Sequence, residues 1–194
     1  MRMRTRFARL LLAALAAAPV AFGAAAADAA SWRLDPGKSR LGFTGVQTGS
    51  PFSGRFTKYG AAIAFDPAHL DASHISVTVD LASAATGDVQ RDSALPGKDW
   101  FDVAQFPQAR FETTAIRHKA GNAYEAAGNL TLRGVTRAVV LPFTLDISGA
   151  AAHAKGRLDL SRTAFGVGQG TWATGQWVAL AVGVDLDIVA VRAS

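Results

Sequence analysis

The chain of 194 residues has no cysteine at all. Disulfide staples, thiolate nucleophiles and haem attachment through cysteine are therefore excluded, whatever compartment it occupies. Catalytic signatures are missing as well. No G-x-S-x-G elbow occurs, and the glycines at 166, 168 and 170 do not open a helix as a nucleotide fingerprint requires. They read instead as sites of bulges or close backbone contact. His69, His74, His118 and His153 share no ligand-like spacing, so they read as turn or surface residues and no metal site is expected. Long apolar runs are absent beyond residue 30. The stretch Val135 to Ile147 is interrupted by Arg137, Pro142 and Asp146, well short of the ~20 apolar residues needed to span a bilayer.

A strong charge is missing too, although the total conceals this. The chain carries 20 Lys+Arg against 15 Asp+Glu, a formal +5. Arg2, Arg4, Arg6 and Arg9 precede the apolar run Leu10 to Phe22, and small residues from Gly23 to Ala30 follow. That order is a secretory signal peptide over 1–30 with cleavage near 27–30, which predicts an exported, periplasmic product. Cleavage after Ala27 leaves 16 basic residues against 15 acidic ones. A near-neutral domain gives no electrostatic footprint for nucleic acid.

What remains, 31–194, is one domain dominated by two-residue alternation. Ile75, Val77, Val79 and Leu81 fall on one face, and Ala126, Gly128, Leu130 and Leu132 on another; Gly156 to Leu160 and Val178 to Val189 alternate likewise. Such runs, separated by Gly, Pro, Asn and Asp, are half-buried antiparallel strands. The expected spans are 32–35, 39–47, 52–65 in one or two pieces, 74–82, 109–117, 123–133, 136–147, 154–162 and 177–191. The fold expected is all-β: a single antiparallel lipocalin-like barrel of about eight strands, with a sandwich as the alternative. A helical insert is expected over 88–103. Pro96 and Gly97 divide it into two short pieces, and Leu95, Trp100 and Phe101 are placed to cap an open end of the sheet.

Aromatic side chains occur on nearly every element. A closed sheet of about eight strands is the size at which a lumen holds either packed side chains or one small ligand. An apolar, aromatic lumen selects an apolar ligand. The candidate lining residues are Phe43, Phe56, Phe65, Val77, Val79, Leu95, Trp100, Phe101, Phe111, Leu132, Phe143, Phe165 and Trp177, with Arg91, Asp92 and Arg162 as polar candidates. The competing reading is a lipid-modifying enzyme using Asp92, Asp102 and Arg162. Against it stands the lack of a nucleophile or an oxyanion site, so no catalytic residue is assigned.

Several motifs resemble those of the YceI family of periplasmic, lipocalin-like, polyisoprenoid-binding proteins. They are Trp32 to Asp35 with Ser39 and Phe43, Phe52 to Phe56 (FSGRF), Ile63 to Pro67, and Gly87 with Arg91, Asp92 and Leu95. Next come Trp100 to Asp102, Phe106 to Phe111, Gly128 to Thr136, and Ser161 and Arg162 with Phe165 and Gly166. Lys38 stands where many members of that family carry histidine. Gly166 to Trp172 resembles the subgroup associated with membrane di-haem b-type cytochromes. The resemblance implies an extended barrel around the hydrocarbon tail of a quinone or prenyl phosphate. No resident cofactor is implied, a b-type cytochrome is a partner to consider, and a homodimer is left open.

Overall fold

The computed structural model describes residues 29–193; the leader, but for its last two residues, lies outside the described residues. Eleven strands and one helix follow in order: β1 Ser31–Leu34, β2 Arg40–Gln47, β3 Ser50–Phe56, β4 Tyr59–Ala64, β5 His74–Asp80, β6 Ala84–Ala85, α1 Val89–Ala94, β7 Gln108–Ala120, β8 Ala123–Leu132, β9 Val135–Ser148, β10 Ala151–Ser161 and β11 Ala181–Arg192. Every pairing is antiparallel. The sequence β1–β4–β5–β7–β8–β9–β10–β11 returns to β1, so eight strands close a barrel, the expected fold, and the sandwich alternative falls away.

The barrel flares at one end. β11 pairs with β2 through Gly183 to Asp187 and with β1 through Ala190 to Arg192. β1 and β2 thus form one bent strand, and β3 and β4 form another beside it. The first bend is held by Ser39, whose hydroxyl donates to the Asp35 carbonyl at 2.7 Å and accepts the Val189 N–H at 2.9 Å. This ties the bend to β11 and lets β2, β3 and the short β6 splay outward. Two tight hairpins fix register at this end: Thr48-Gly49 and Arg133-Gly134 each join strands with two residues at positive φ.

The core divides accordingly. At the closed end Trp32, Phe65, Ile116, Phe143 and Ala190 are buried together, and the Trp32 indole N–H donates to the Phe65 carbonyl at 2.9 Å. At the flared end Leu81, Phe101, Ala109, Phe165 and Val167 form a second cluster under the insert.

Three expectations need correction. Only one helix forms in the insert: Asp88 caps α1 by accepting the N–H groups of Gln90 and Arg91, and successive turns after Ala94 replace the expected second piece. β6 and the 3₁₀ turns Arg162–Phe165 and Gly170–Trp172 were not anticipated. The last strand begins at Ala181, not 177, because Arg162 takes the carbonyls of Val178 and Ala179 that would otherwise serve the ladder.

Candidate binding cavity

The period-two pattern turns one face of each strand inward, and glycine decides how the inward rings lie. Phe43 pairs across strands with Gly54, Phe52 with Gly45, and Phe143 with Gly156. A Cβ at Gly45 would lie 2.8 Å from the Phe52 ring, and one at Gly54 would lie inside the Phe43 ring's contact distance. The Phe43 and Phe52 rings therefore lie along the wall over a neighbour without a side chain, instead of reaching toward the axis.

Space is left inside. The larger cavity is about 470 Å³ and runs from the flared mouth to mid-barrel. A second of about 150 Å³ occupies the closed end. Both are lined overwhelmingly by apolar side chains. The volume of the larger one falls within the ~300–1,000 Å³ usual for small-molecule sites.

Most of the sequence-derived candidates meet here. Phe43, Phe56, Val77, Val79, Leu95, Trp100, Phe101, Phe111, Leu132, Phe165, Arg91 and Arg162 border the larger cavity. Phe65 and Phe143 border the smaller one, together with Val77 and Phe111. Two candidates lie elsewhere. Trp177 is 48% exposed and faces neither cavity, because it belongs to the loop before β11 whose carbonyl accepts the Thr48 N–H. Asp92 is turned away to hold the turn before α1. Its carboxylate accepts the Thr86 hydroxyl at 2.6 Å, the Thr86 N–H at 2.7 Å and the Gly87 N–H at 3.2 Å. The Thr86 bonds above all hold the Asp92 carboxyl below its ordinary range.

The mouth is polar. Thr44, Gln47, Asp88, Gln90 and Arg91 surround it. Arg91 donates to Gln47 Oε1 at 3.1 Å and to Thr86 Oγ1 at 3.3 Å, lies 3.6 Å from Asp88, and rests over the Phe52 ring at 4.9 Å. It is the cation best placed to meet a polar head group.

Arg162, by contrast, is a fastener. Its guanidinium is buried, stacks on Trp100 at 5.3 Å, and bonds the carbonyls of Val167, Gly168, Trp172, Val178 and Ala179. Burial lowers its pKa. Gly168 lies against this guanidinium at φ 84°, where a Cβ would collide with it. The glycines of this segment thus make room for the Arg162 knot, which presents Trp172 to the cavity.

An enzymatic trio does not assemble. Asp102, at φ 52°, is buried 3.8 Å from Arg133; Asp92 holds its turn; and neither borders the cavity that Arg162 reaches. Among the described residues no three of His, Asp or Glu gather as a metal site would need. Residues overlooked in the sequence include Leu158, Leu160, Val182, Val184 and Leu186, which line the larger cavity from β10 and β11. Their alternation is visible in the sequence, but an aliphatic side chain facing a ligand reads the same as one packed in a core.

Comparison with known proteins fits this architecture. A family model described as YceI-like domain matches residues 32–190. A UPF0312 protein of Pseudomonas savastanoi pv. phaseolicola is 33% identical over 111 residues, covering 57% of this chain and 55% of the relative. The chain thus spans about half the length of such curated relatives. The crystal structure of Burkholderia cenocepacia BcnA superposes with TM-score 0.78 at 36% identity, over 80% of this chain and 98% of that one. A domain from Saccharophagus degradans, described as polyisoprenoid binding and implicated in plant cell wall breakdown, shares the fold with TM-score 0.68 at 14% identity. That match covers 84% of this chain and 99% of the other.

Proposed function

Since the chain belongs to the YceI-like domain family, we propose that it is an exported carrier that holds the hydrocarbon chain of a polyisoprenoid, of quinone or prenyl phosphate type, inside its barrel. The observation that carries this reading is the apolar cavity of about 470 Å³ opening at a polar mouth. Its walls offer dispersion and desolvation, and its mouth offers Arg91 and Gln47 to a head-group oxygen. The Saccharophagus fold relative described as polyisoprenoid binding supports the ligand class. Residues 2–30, read as a cleaved leader, support a periplasmic location.

Magnitudes agree with a ligand held by its tail. Each buried methylene contributes about 0.8 kcal/mol, so a prenyl unit contributes roughly 3 kcal/mol before costs. Three or four units contribute roughly 9–12 kcal/mol before ordering losses, the scale that micromolar affinity of ~8 kcal/mol requires. A carrier needs no more from its mouth than orientation.

The test is organic extraction of the purified mature protein followed by mass spectrometry, together with titration of added quinone. A polyprenyl species in the extract, or saturable quinone binding, is the expected result. Leu158→Gln, which places an amide on the cavity wall, should weaken retention about tenfold or more. Val140→Gln, at a position 51% exposed on the outer face, should leave retention unchanged. An empty extract together with no quinone binding would overturn the reading.

A further inference from the structure

We propose that Phe111 is the partition that sets how much apolar chain the barrel accepts; this rests on the carrier reading above and adds a length gauge to it. The two cavities share five bordering residues: Leu41, Val77, Phe111, Leu141 and Leu186. They come from β2, β5, β7, β9 and β11, and so ring the barrel at one level. Phe111 is the aromatic member of that ring. Its side chain is laid toward β8, where a Cβ on Gly128 would approach its ring to 2.7 Å. The space it occupies is made by a glycine, and among the five residues at the waist it is the largest side chain, the one whose removal would widen the passage most.

Below the waist the wall changes character. Ala61, Ala126, Ala152, Ala154 and Ala190 border the smaller chamber, which is why about 150 Å³ stays unfilled there. An apolar void of this size stays dry and accepts apolar guests. β11 measures its depth, because Val182, Val184 and Leu186 face the upper chamber while Leu186, Ile188 and Ala190 face the lower one. Each step of two residues moves one inward position down the wall. The stretch from Leu186 to Ala190 advances roughly 10 Å along the axis, given ~3.4 Å per residue and ~40° strand tilt. An extended chain advances ~1.2 Å per bond, so the lower chamber takes about eight further bonds, or two prenyl units. Phe111 withholds that length.

The experiment compares binding of farnesol, geranylgeraniol and longer all-trans prenyl alcohols by native mass spectrometry and by competition with a fluorescent lipid. Four full-length mature proteins are used: wild type, Phe111→Ala, Phe111→Leu, and Phe111→Ala combined with Ala154→Phe. In the wild type, affinity should rise with chain length and then level off. In Phe111→Ala the plateau should move out by about two prenyl units. Phe111→Leu should give an intermediate shift and carries the test if the alanine variant does not fold. Refilling the lower chamber with Ala154→Phe should return the plateau to its wild-type position. Plateaus at one common length in wild type and folded Phe111 variants would overturn the gauge while leaving the carrier reading intact. Failure of every protein to bind any prenyl alcohol would overturn the carrier reading and the gauge with it.

Discussion

Replacing Arg162 by methionine removes the fastener of the cavity mouth while keeping most of the stem's volume. The guanidinium has five N–H donors, and in this fold they meet five backbone carbonyls. Three belong to buried residues, Val167, Gly168 and Val178, with Val167 and Val178 at 5% and 7% exposure. A buried acceptor left without a donor costs about 1–3 kcal/mol. Part of this is recovered, since burying the guanidinium carries its own desolvation penalty and water will reach Trp172. A net loss of about 3–5 kcal/mol is expected from the buried carbonyls left without donors, after that recovery. At ~2–4 °C per kcal/mol for a domain of this size, the midpoint should fall by roughly 10 °C. Urea and thermal unfolding measure the total, and amide exchange locates it. Gly168 and Ala179, whose N–H groups bond Asp99 and Val46 carbonyls at 2.8 Å, should exchange faster, while the β10–β11 ladder stays protected. Arg162→Lys should recover less than half of the loss, because one ammonium cannot span five carbonyls. A loss below about 1 kcal/mol, or full rescue by lysine, would refute the claim that fork geometry holds this segment.

Two further outcomes follow from wall and mouth. Gly54→Ala should destabilise by about 1–3 kcal/mol, since its Cβ enters the Phe43 ring, whereas Gly60→Ala on β4, with nothing within 4 Å, should be neutral or slightly stabilising; urea midpoints compare them. Asp92 has its carboxyl pKa depressed in the fold, so its contribution is full above the unfolded value of ~3.9 and is lost as pH falls through the folded value. Thermal midpoints of Asp92→Asn should therefore decline less steeply than wild type on acidification below about pH 4, with Asp66 and Asp187, depressed by His69 and His153, supplying the remaining slope. Equal slopes would show that the Thr86 turn does not sense this proton.

The strands were legible because period two is a local property, and β5, β8, β10 and β11 each write it within a dozen residues; closure into a barrel is not written there, since a sandwich alternates in the same way. Strand breaks were less legible. The bend between β1 and β2 depends on the Ser39 hydroxyl reaching Val189, a partner 150 residues away. The false start of β11 has the same cause: Trp177 to Leu180 continues the apolar pattern, but Arg162 claims two of its carbonyls, and nothing local announces this. Trp177 was misplaced for that reason. Asp92 was misplaced because a carboxylate near an apolar site and a carboxylate capping a turn look alike until Thr86 is seen to donate to it twice.

Whether the lumen is filled or open is a different kind of question, and alternation cannot answer it, because inward phenylalanines serve either outcome. The deciding feature is relative placement across strands. With Gly45 opposite Phe52 and Gly54 opposite Phe43, each ring has a vacant seat in the wall. Alanine at those seats would push two rings toward the axis, where the cavity of about 470 Å³ now lies. Ring and glycine alternate on each strand, in Phe43-x-Gly45 and Phe52-x-Gly54, so the hairpin through Thr48-Gly49 sets the register that brings each ring onto the other strand's glycine. A slip of one residue would turn every inward ring outward. The capacity to hold a ligand is therefore specified less by how many aromatic residues the chain carries than by the two-residue turn that aligns them with glycine.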